Sequence, residues 1–281
     1  MAKKFLYDIF TPEHADAIIF GVPLGKNSQQ DLDALRKASW FVESFDVDRK
    51  KDLLENVKIA DVGNIELKDL DEITKKTEEI IERGKVPVIL GGGHLLSFYS
   101  IQALENAKLI VFDAHSDLAD KYEDEKLVEL YQSWFDPKCN GATWLRRYCE
   151  KRNPENVCII GLRSCDKDIM KFIVEKKILY FTPSQIRKDI GNVKKKLREF
   201  TKGSPLYISI DIDVFDPSIV PTVDYPEPDG LLFDEFREVV DAIEGRVLGI
   251  DLTELKEVGK NEAVGFLAVK VIFEILSLLS I

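Results

Sequence analysis

Asp113, His115 and Asp117 occupy alternate positions in the stretch Asp-Ala-His-Ser-Asp. In an extended chain this spacing turns all three side chains to one side. A strand that ends and bends there can aim them around one point. Asp211 and Asp213 share a face in the same way, within Ser-Ile-Asp-Ile-Asp-Val-Phe-Asp-Pro (209–217). His94 follows three glycines, and the chain has only three histidines, of which two fall inside these clusters. A fourth, weaker cluster is Gly-Ile-Asp-Leu-Thr-Glu, ending at Glu254. Apolar residues precede each cluster, which implies burial, and unpaired buried carboxylates are very costly. Metal ions are the simplest compensation. The charges of Asp113, Asp117, Asp211 and Asp213 balance two divalent cations, with His94 and His115 as neutral ligands. Mixed imidazole and carboxylate ligation suits Mn, Fe, Co or Zn. Such a pair of ions activates a shared water as hydroxide.

The elements that must position these residues are short apolar runs of four to eight residues: 17–23, 57–62, 86–90, 108–112, 157–162, 178–181, 206–212 and 247–252. Continuous runs rich in Val, Ile and Phe suit strands buried on both faces. Helical periodicity fills most of the gaps. In 69–84, Leu70, Ile73, Thr77, Ile80 and Ile81 form one stripe, and Gly84 stands where a helix should stop. The segment 183–201 has the same period, with Lys194–Lys196 on its solvated face. About eight strands alternating with helices predict a mostly parallel sheet with helices on both faces. Ligands bind such sheets beyond the carboxyl ends of the strands, where all four clusters fall. The polar excursion 120–140 reads as a loop with a short helix over that end.

The net charge of −11, from 39 basic and 50 acidic residues, excludes a general nucleic-acid binder. It fits a cytoplasmic protein that tolerates cationic ligands. The four cysteines, Cys139, Cys149, Cys158 and Cys165, match no C-x-x-C pattern and read as reduced, mostly packed thiols. The first ten residues lack the apolar core of a signal peptide. The most apolar run, 264–281, is interrupted by Lys270 and Glu274, four residues apart on one helical face. It reads as a docked core helix and not a membrane span.

Gly-Gly-Gly-His (91–94), Asp-Ala-His-Ser-Asp (113–117) and the block 209–217 resemble the signature blocks of the ureohydrolase family, which includes arginase, agmatinase and formiminoglutamase. Pro-Glu-Pro-Asp-Gly-Leu (226–231) is similar to a further family segment, and the likeness runs from about Ile18 to the carboxyl terminus. It implies one ureohydrolase-like domain over residues 1–281, with a three-layer αβα fold. It also implies two Mn2+ per chain and a homo-oligomer, trimer or hexamer. Carried over by position, one ion takes His94, Asp113, Asp117 and Asp211. The other takes His115, Asp113, Asp211 and Asp213. Asp117 also orients the attacking hydroxide, and Glu254 holds the substrate guanidinium through charge-assisted hydrogen bonds. The implied products are urea and an amine.

Three positions depart from the family pattern. Asn140 stands where active members usually carry a proton-shuttling His, and an amide has no acid–base role near neutral pH. As the residue in that place, Asn140 is expected at the substrate. Gly93 replaces an acidic or amide residue that orients the first metal ligand. The loop 24–30 differs from the usual Gly- and Pro-rich turn. The stretches 140–147 and 160–164 look more like agmatinases than arginases, so agmatine, yielding putrescine, is the first substrate. The acidic run Asp120–Glu125 is then placed near the distal amine. Arginine, another guanidino acid or a formimino compound is the alternative substrate. A metal-binding family member without turnover is the alternative class.

Overall fold

The computed structural model describes residues 4–5, 10–26 and 28–280. Most of the amino-terminal stretch read for a signal peptide, and Asn27 of the loop 24–30, lie outside the described residues. The strands in chain order are β1 (Ala17–Val22), the two-residue strands β2 (Phe45–Asp46) and β3 (Lys51–Asp52), β4 (Ile59–Asn64), β5 (Val86–Gly91), β6 (Lys108–Phe112), β7 (Val157–Ile160), β8 (Leu179–Phe181), β9 (Pro205–Asp211) and β10 (Arg246–Thr253). Each of the eight apolar runs becomes a strand. Together they form one sheet in the order β4-β1-β5-β10-β9-β6-β7-β8, with every pairing parallel. The antiparallel pair β2–β3 stands apart from it.

The helices are α1 (Ser28–Ser39), α2 (Asp71–Glu82), α3 (Leu95–Ile101), α4 (Glu125–Tyr131), α5 (Trp144–Lys151), α6 (Lys167–Glu175), α7 (Pro183–Lys188), α8 (Ile190–Thr201), α9 (Phe233–Val240) and α10 (Glu262–Leu276). Two hydrophobic cores lie on the two faces of the sheet. Alternate residues of one strand enter different cores: Ala17 and Ile19 join Leu35, Leu197 and Phe236, whereas Ile18 and Phe20 join Ile73, Leu96 and Trp144. The result is three layers. Each fully buried Leu, Ile or Phe is worth about 1.5–3 kcal/mol of apolar transfer.

One local expectation needs correction. The periodic segment 183–201 is two helices, because Asp189 leaves the helical region (φ −154°, ψ 69°) and caps the second helix through Asn192 N at 3.0 Å. In α10, Lys270 and Glu274 meet different partners. Glu274 faces inward to Arg49 Nη1 at 2.6 Å, and Lys270 donates to the Glu43 carbonyl. Among the described residues no helix is long and apolar enough to cross a membrane.

Candidate metal centre and substrate pocket

The four sequence clusters follow β5, β6, β9 and β10, which are adjacent at the middle of the sheet in the order β5-β10-β9-β6. β10 is last in the chain yet lies between β5 and β9. This insertion brings residues 94, 113–117, 211–213 and 254 to one place. The register sets their height, with Thr253 opposite Asp211 and Phe112 opposite Ile210.

His94 and three aspartates meet first. His94 Nδ1 lies 3.2 Å from Asp113 Oδ2, 3.0 Å from Asp117 Oδ2 and 3.2 Å from Asp211 Oδ2. His115 Nδ1 lies 2.8 Å from Asp213 Oδ2 and 3.6 Å from Asp113 Oδ1. Two groups able to hold a cation result, His94–Asp113–Asp211 and Asp113–His115–Asp213, and Asp113 belongs to both. His94 Nδ1 and Asp113 Oδ2 are buried without a hydrogen-bond partner although they are close to each other. Buried polar atoms are rarely left so, and these two converge where a cation would take both as ligands.

The electrostatics agree. Burial, helped by the neighbouring aspartates, raises Asp211 well above the usual carboxylate range and brings Asp117 to about 6. Burial alone would depress the two imidazoles, but their carboxylate partners reverse the sign, and His115 rises to about 12. The cluster therefore calls for positive charge, which bound cations would supply with both histidines neutral.

A buried chain of hydroxyls fixes the His94 ring from behind. Nε2 meets Ser209 Oγ at 2.9 Å, Ser209 donates to Asp251 Oδ1 at 2.7 Å, and Tyr207 donates to Asp251 Oδ2 at 2.6 Å. Such partners set a ligand's tautomer and orientation. Trp144 Nε1 likewise donates to Asp117 Oδ2 at 2.7 Å. Ser209 and Asp251 fall inside the sequence clusters without a role read for them there, and Trp144 stood out only as part of the agmatinase-like stretch 140–147.

Asp117 and Glu254 both hold left-handed backbone, with φ of 50° and 55°. Non-glycine residues rarely adopt it, and such strain concentrates at functional sites. Glu254 is tied on both sides: its N–H donates to the Gly92 carbonyl at 2.7 Å, and Oε1 accepts from His94 N at 2.7 Å. Burial pushes its carboxyl up to about 8. A cavity of about 500 Å³ opens over the cluster, lined by His115, Asp117, Tyr122, Tyr225, Glu227 and Glu254 among others.

The departures have structural explanations. A Cβ on Gly93 would lie 2.7 Å from the Tyr131 ring, whose hydroxyl accepts from Leu95 N. Tyr131, at the end of α4, fills the space that a side chain at 93 would need. Asn140 does not face the cavity, which corrects its assignment to substrate binding. It is fully buried, its Nδ2 donates to the carbonyls of Tyr122 and Asp136, and its Oδ1 accepts from Ala142 N. Two of the four acidic side chains of the run Asp120–Glu125 are likewise engaged elsewhere. Asp120 pairs with Arg147, and Asp124 accepts from Tyr225 and caps α4. His14 lies before β1, at the opposite end of the sheet, and meets Thr11. Cys149 and Cys158 are buried as expected, but Cys165 is exposed and lines the cavity.

Residues 15–277 match the model of the arginase family. The chain is 31% identical to the N(1)-aminopropylagmatine ureohydrolase of Thermococcus kodakarensis, over 96% of this chain and 93% of that protein. It is 30% identical to the agmatinase of Bacillus subtilis, over 94% and 92%. The crystal structure of the agmatine ureohydrolase of Thermoplasma volcanium superposes with a TM-score of 0.83 at 25% identity, covering 99% of this chain and 94% of that one. The sheet order, the paired ligand clusters and these likenesses together place the chain in the arginase family.

Proposed function

We propose that this protein hydrolyses the C–N bond of a guanidino compound to release urea and an amine, with agmatine, yielding putrescine, as the first substrate. The observation that carries the reading is the shared Asp113 between two cation-holding groups, with Glu254 opening onto the same cavity. His94, Asp113, Asp117 and Asp211 would hold one Mn2+, and His115, Asp113, Asp211 and Asp213 the other. Bound there, two such ions supply a nucleophilic water at neutral pH and a positive field for developing charge.

The chain's own groups do the rest. Glu254 orients the guanidinium, a delocalised cation and poor electrophile, by charge-assisted hydrogen bonds. Its backbone is pinned to Gly92 and its carboxylate to His94, so little ordering remains when substrate arrives. Asp117, steadied by Trp144, is the carboxylate that orients the attacking hydroxide. The reading includes a single domain over residues 1–281 and a cytoplasmic homo-oligomer, trimer or hexamer, without nucleic-acid or membrane partners. A second reading, a metal-binding family member without turnover, draws on Asn140, whose amide is wholly engaged by backbone.

The test is urea release by the Mn2+-loaded protein from agmatine, arginine and shorter guanidino acids, with Asp117→Asn as control. Urea from one substrate, lost in the variant, is the expected result. No urea from any of them, with two metals bound per chain, would overturn the hydrolase reading for these guanidines.

A further inference from the structure

The cavity has a second carboxylate that, among the described residues, no metal group or ion pair uses. Glu227 lies in the loop after β9, half-buried on the cavity wall. Its Oε1 accepts from Ser164 Oγ at 2.8 Å, and among the described residues it forms no ion pair. Its backbone is fixed by Arg163, whose guanidinium donates to the carbonyls of Glu227 at 2.9 Å and Pro228 at 3.1 Å. Arg163 also donates to the carbonyls of Asp213 and Val214, so the arm carrying Glu227 is fastened to the chain that carries the metal-group residue Asp213. The backbone of Ser164 pairs in parallel with that of His115.

The other carboxylates of the wall are committed or too wet to discriminate. Asp224 pairs with Lys256. Asp166 is exposed and accepts from Ile169 N at the start of α6, where the helix dipole already offsets its charge. An exposed carboxylate gains little from a cation. A half-buried, preorganised and unpaired carboxylate gains considerably more.

We propose that Glu227 selects for substrates carrying a second cation, receiving a distal ammonium while Glu254 holds the reacting end. The inference rests on the guanidino-hydrolase reading and assigns the specificity of that same site. It moves the distal-amine contact from the acidic run 120–125 to the loop after β9. The class selected is a guanidine bearing an alkylammonium tail, in preference to one with an uncharged or carboxylate tail.

The test has two arms, each on the Mn2+-loaded protein and its Glu227→Gln variant. In the first, calorimetry compares 1,4-diaminobutane with 1-aminobutane. The wild type prefers the diamine, and the variant loses about tenfold or more of that preference. In the second, kcat/KM for urea release is compared for agmatine and n-butylguanidine, and the preference for agmatine falls by a similar factor, mostly through KM. Ser164→Ala, which keeps the carboxylate but removes its donor, gives a smaller fall in the same direction and serves if Glu227→Gln does not fold. A diamine preference unchanged in both variants overturns the assignment of Glu227. Absence of urea from either guanidine with the diamine effect intact overturns the hydrolase reading and leaves Glu227 as the amine site.

Discussion

Glu254 Oε1 accepts a hydrogen bond from the backbone N–H of His94 at 2.7 Å, which ties the candidate substrate carboxylate directly to a candidate metal ligand. The contact spans 160 residues of sequence and exists because β10 inserts beside β5. Glu254→Gln keeps an oxygen for that hydrogen bond but loses the charge. The expected outcome is a fall in kcat/KM for the guanidino substrate of about a hundredfold, near the upper end for a hydrogen bond to a charged group. Metal content should stay at the wild-type level, because Glu254 is in neither cation-holding group. Steady-state urea release together with metal analysis checks this, and a variant as active as the wild type would remove Glu254 from the site.

The shared position of Asp113 predicts unequal effects of two ligand substitutions. His115→Asn should lower Mn2+ stoichiometry from about two per chain to about one, because His115 belongs to a single group. Asp113→Asn should weaken both sites. Equilibrium dialysis with metal analysis separates the cases. Mn2+ in large excess over its Kd should stabilise the fold by about 2.7 kcal/mol at a hundredfold excess for one site. Chelation should therefore lower the thermal midpoint of the wild type by several degrees and that of Asp113→Asn by much less.

What the sequence could reveal follows from how far each signal extends along the chain. The strands were legible because both faces of the sheet are covered, so runs such as Leu109–Phe112 are apolar throughout. β2 and β3 were not, since two residues carry no period. The break between α7 and α8 was hidden because Asp189 interrupts a stripe that resumes in phase on the far side. In the candidate metal centre, the clustering of Asp113, His115 and Asp117 was legible because they are local in sequence. Its supports were not. Glu227 and Ser164 are 63 residues apart and meet only through loops, and Trp144 reaches Asp117 from the start of α5. Asn140 was misplaced for a related reason. Its position in the pattern suggests the pocket, whereas its three hydrogen bonds turn the amide into the loop.

Tyr131 and Gly93 form a matched pair, which predicts a coupled mutational effect. Gly93→Ala places a Cβ 2.7 Å from the Tyr131 ring, closer than real contacts allow, and both lie in a packed region. The expected cost is about 1–3 kcal/mol, typical of overpacking. Tyr131→Leu should itself destabilise by leaving part of the ring's volume empty. The double variant should then be more stable than the sum of the two single effects by about 0.5–3 kcal/mol, the usual range of coupling between touching residues. Denaturant midpoints for the four proteins test it, and strict additivity would show that Tyr131 does not occupy the space denied to residue 93.

Asn140→His would restore the imidazole that the ureohydrolase pattern places here, yet the structure predicts no gain from it. The Asn140 amide makes two donations and one acceptance, all to backbone groups, with no exposure to the cavity. A neutral imidazole has one donor and one acceptor. At least one of the carbonyls of Tyr122 and Asp136 would then lose its partner, at a cost of about 1–3 kcal/mol for a buried group left unsatisfied. The larger ring would also press on a loop that helps wall the cavity through Tyr122, Gly141 and Ala142. The expected outcome is a lower denaturant midpoint and a urea release rate no higher than that of the wild type. A variant with an unchanged midpoint and faster turnover would instead show that this loop can turn residue 140 toward the substrate and pass a proton from there.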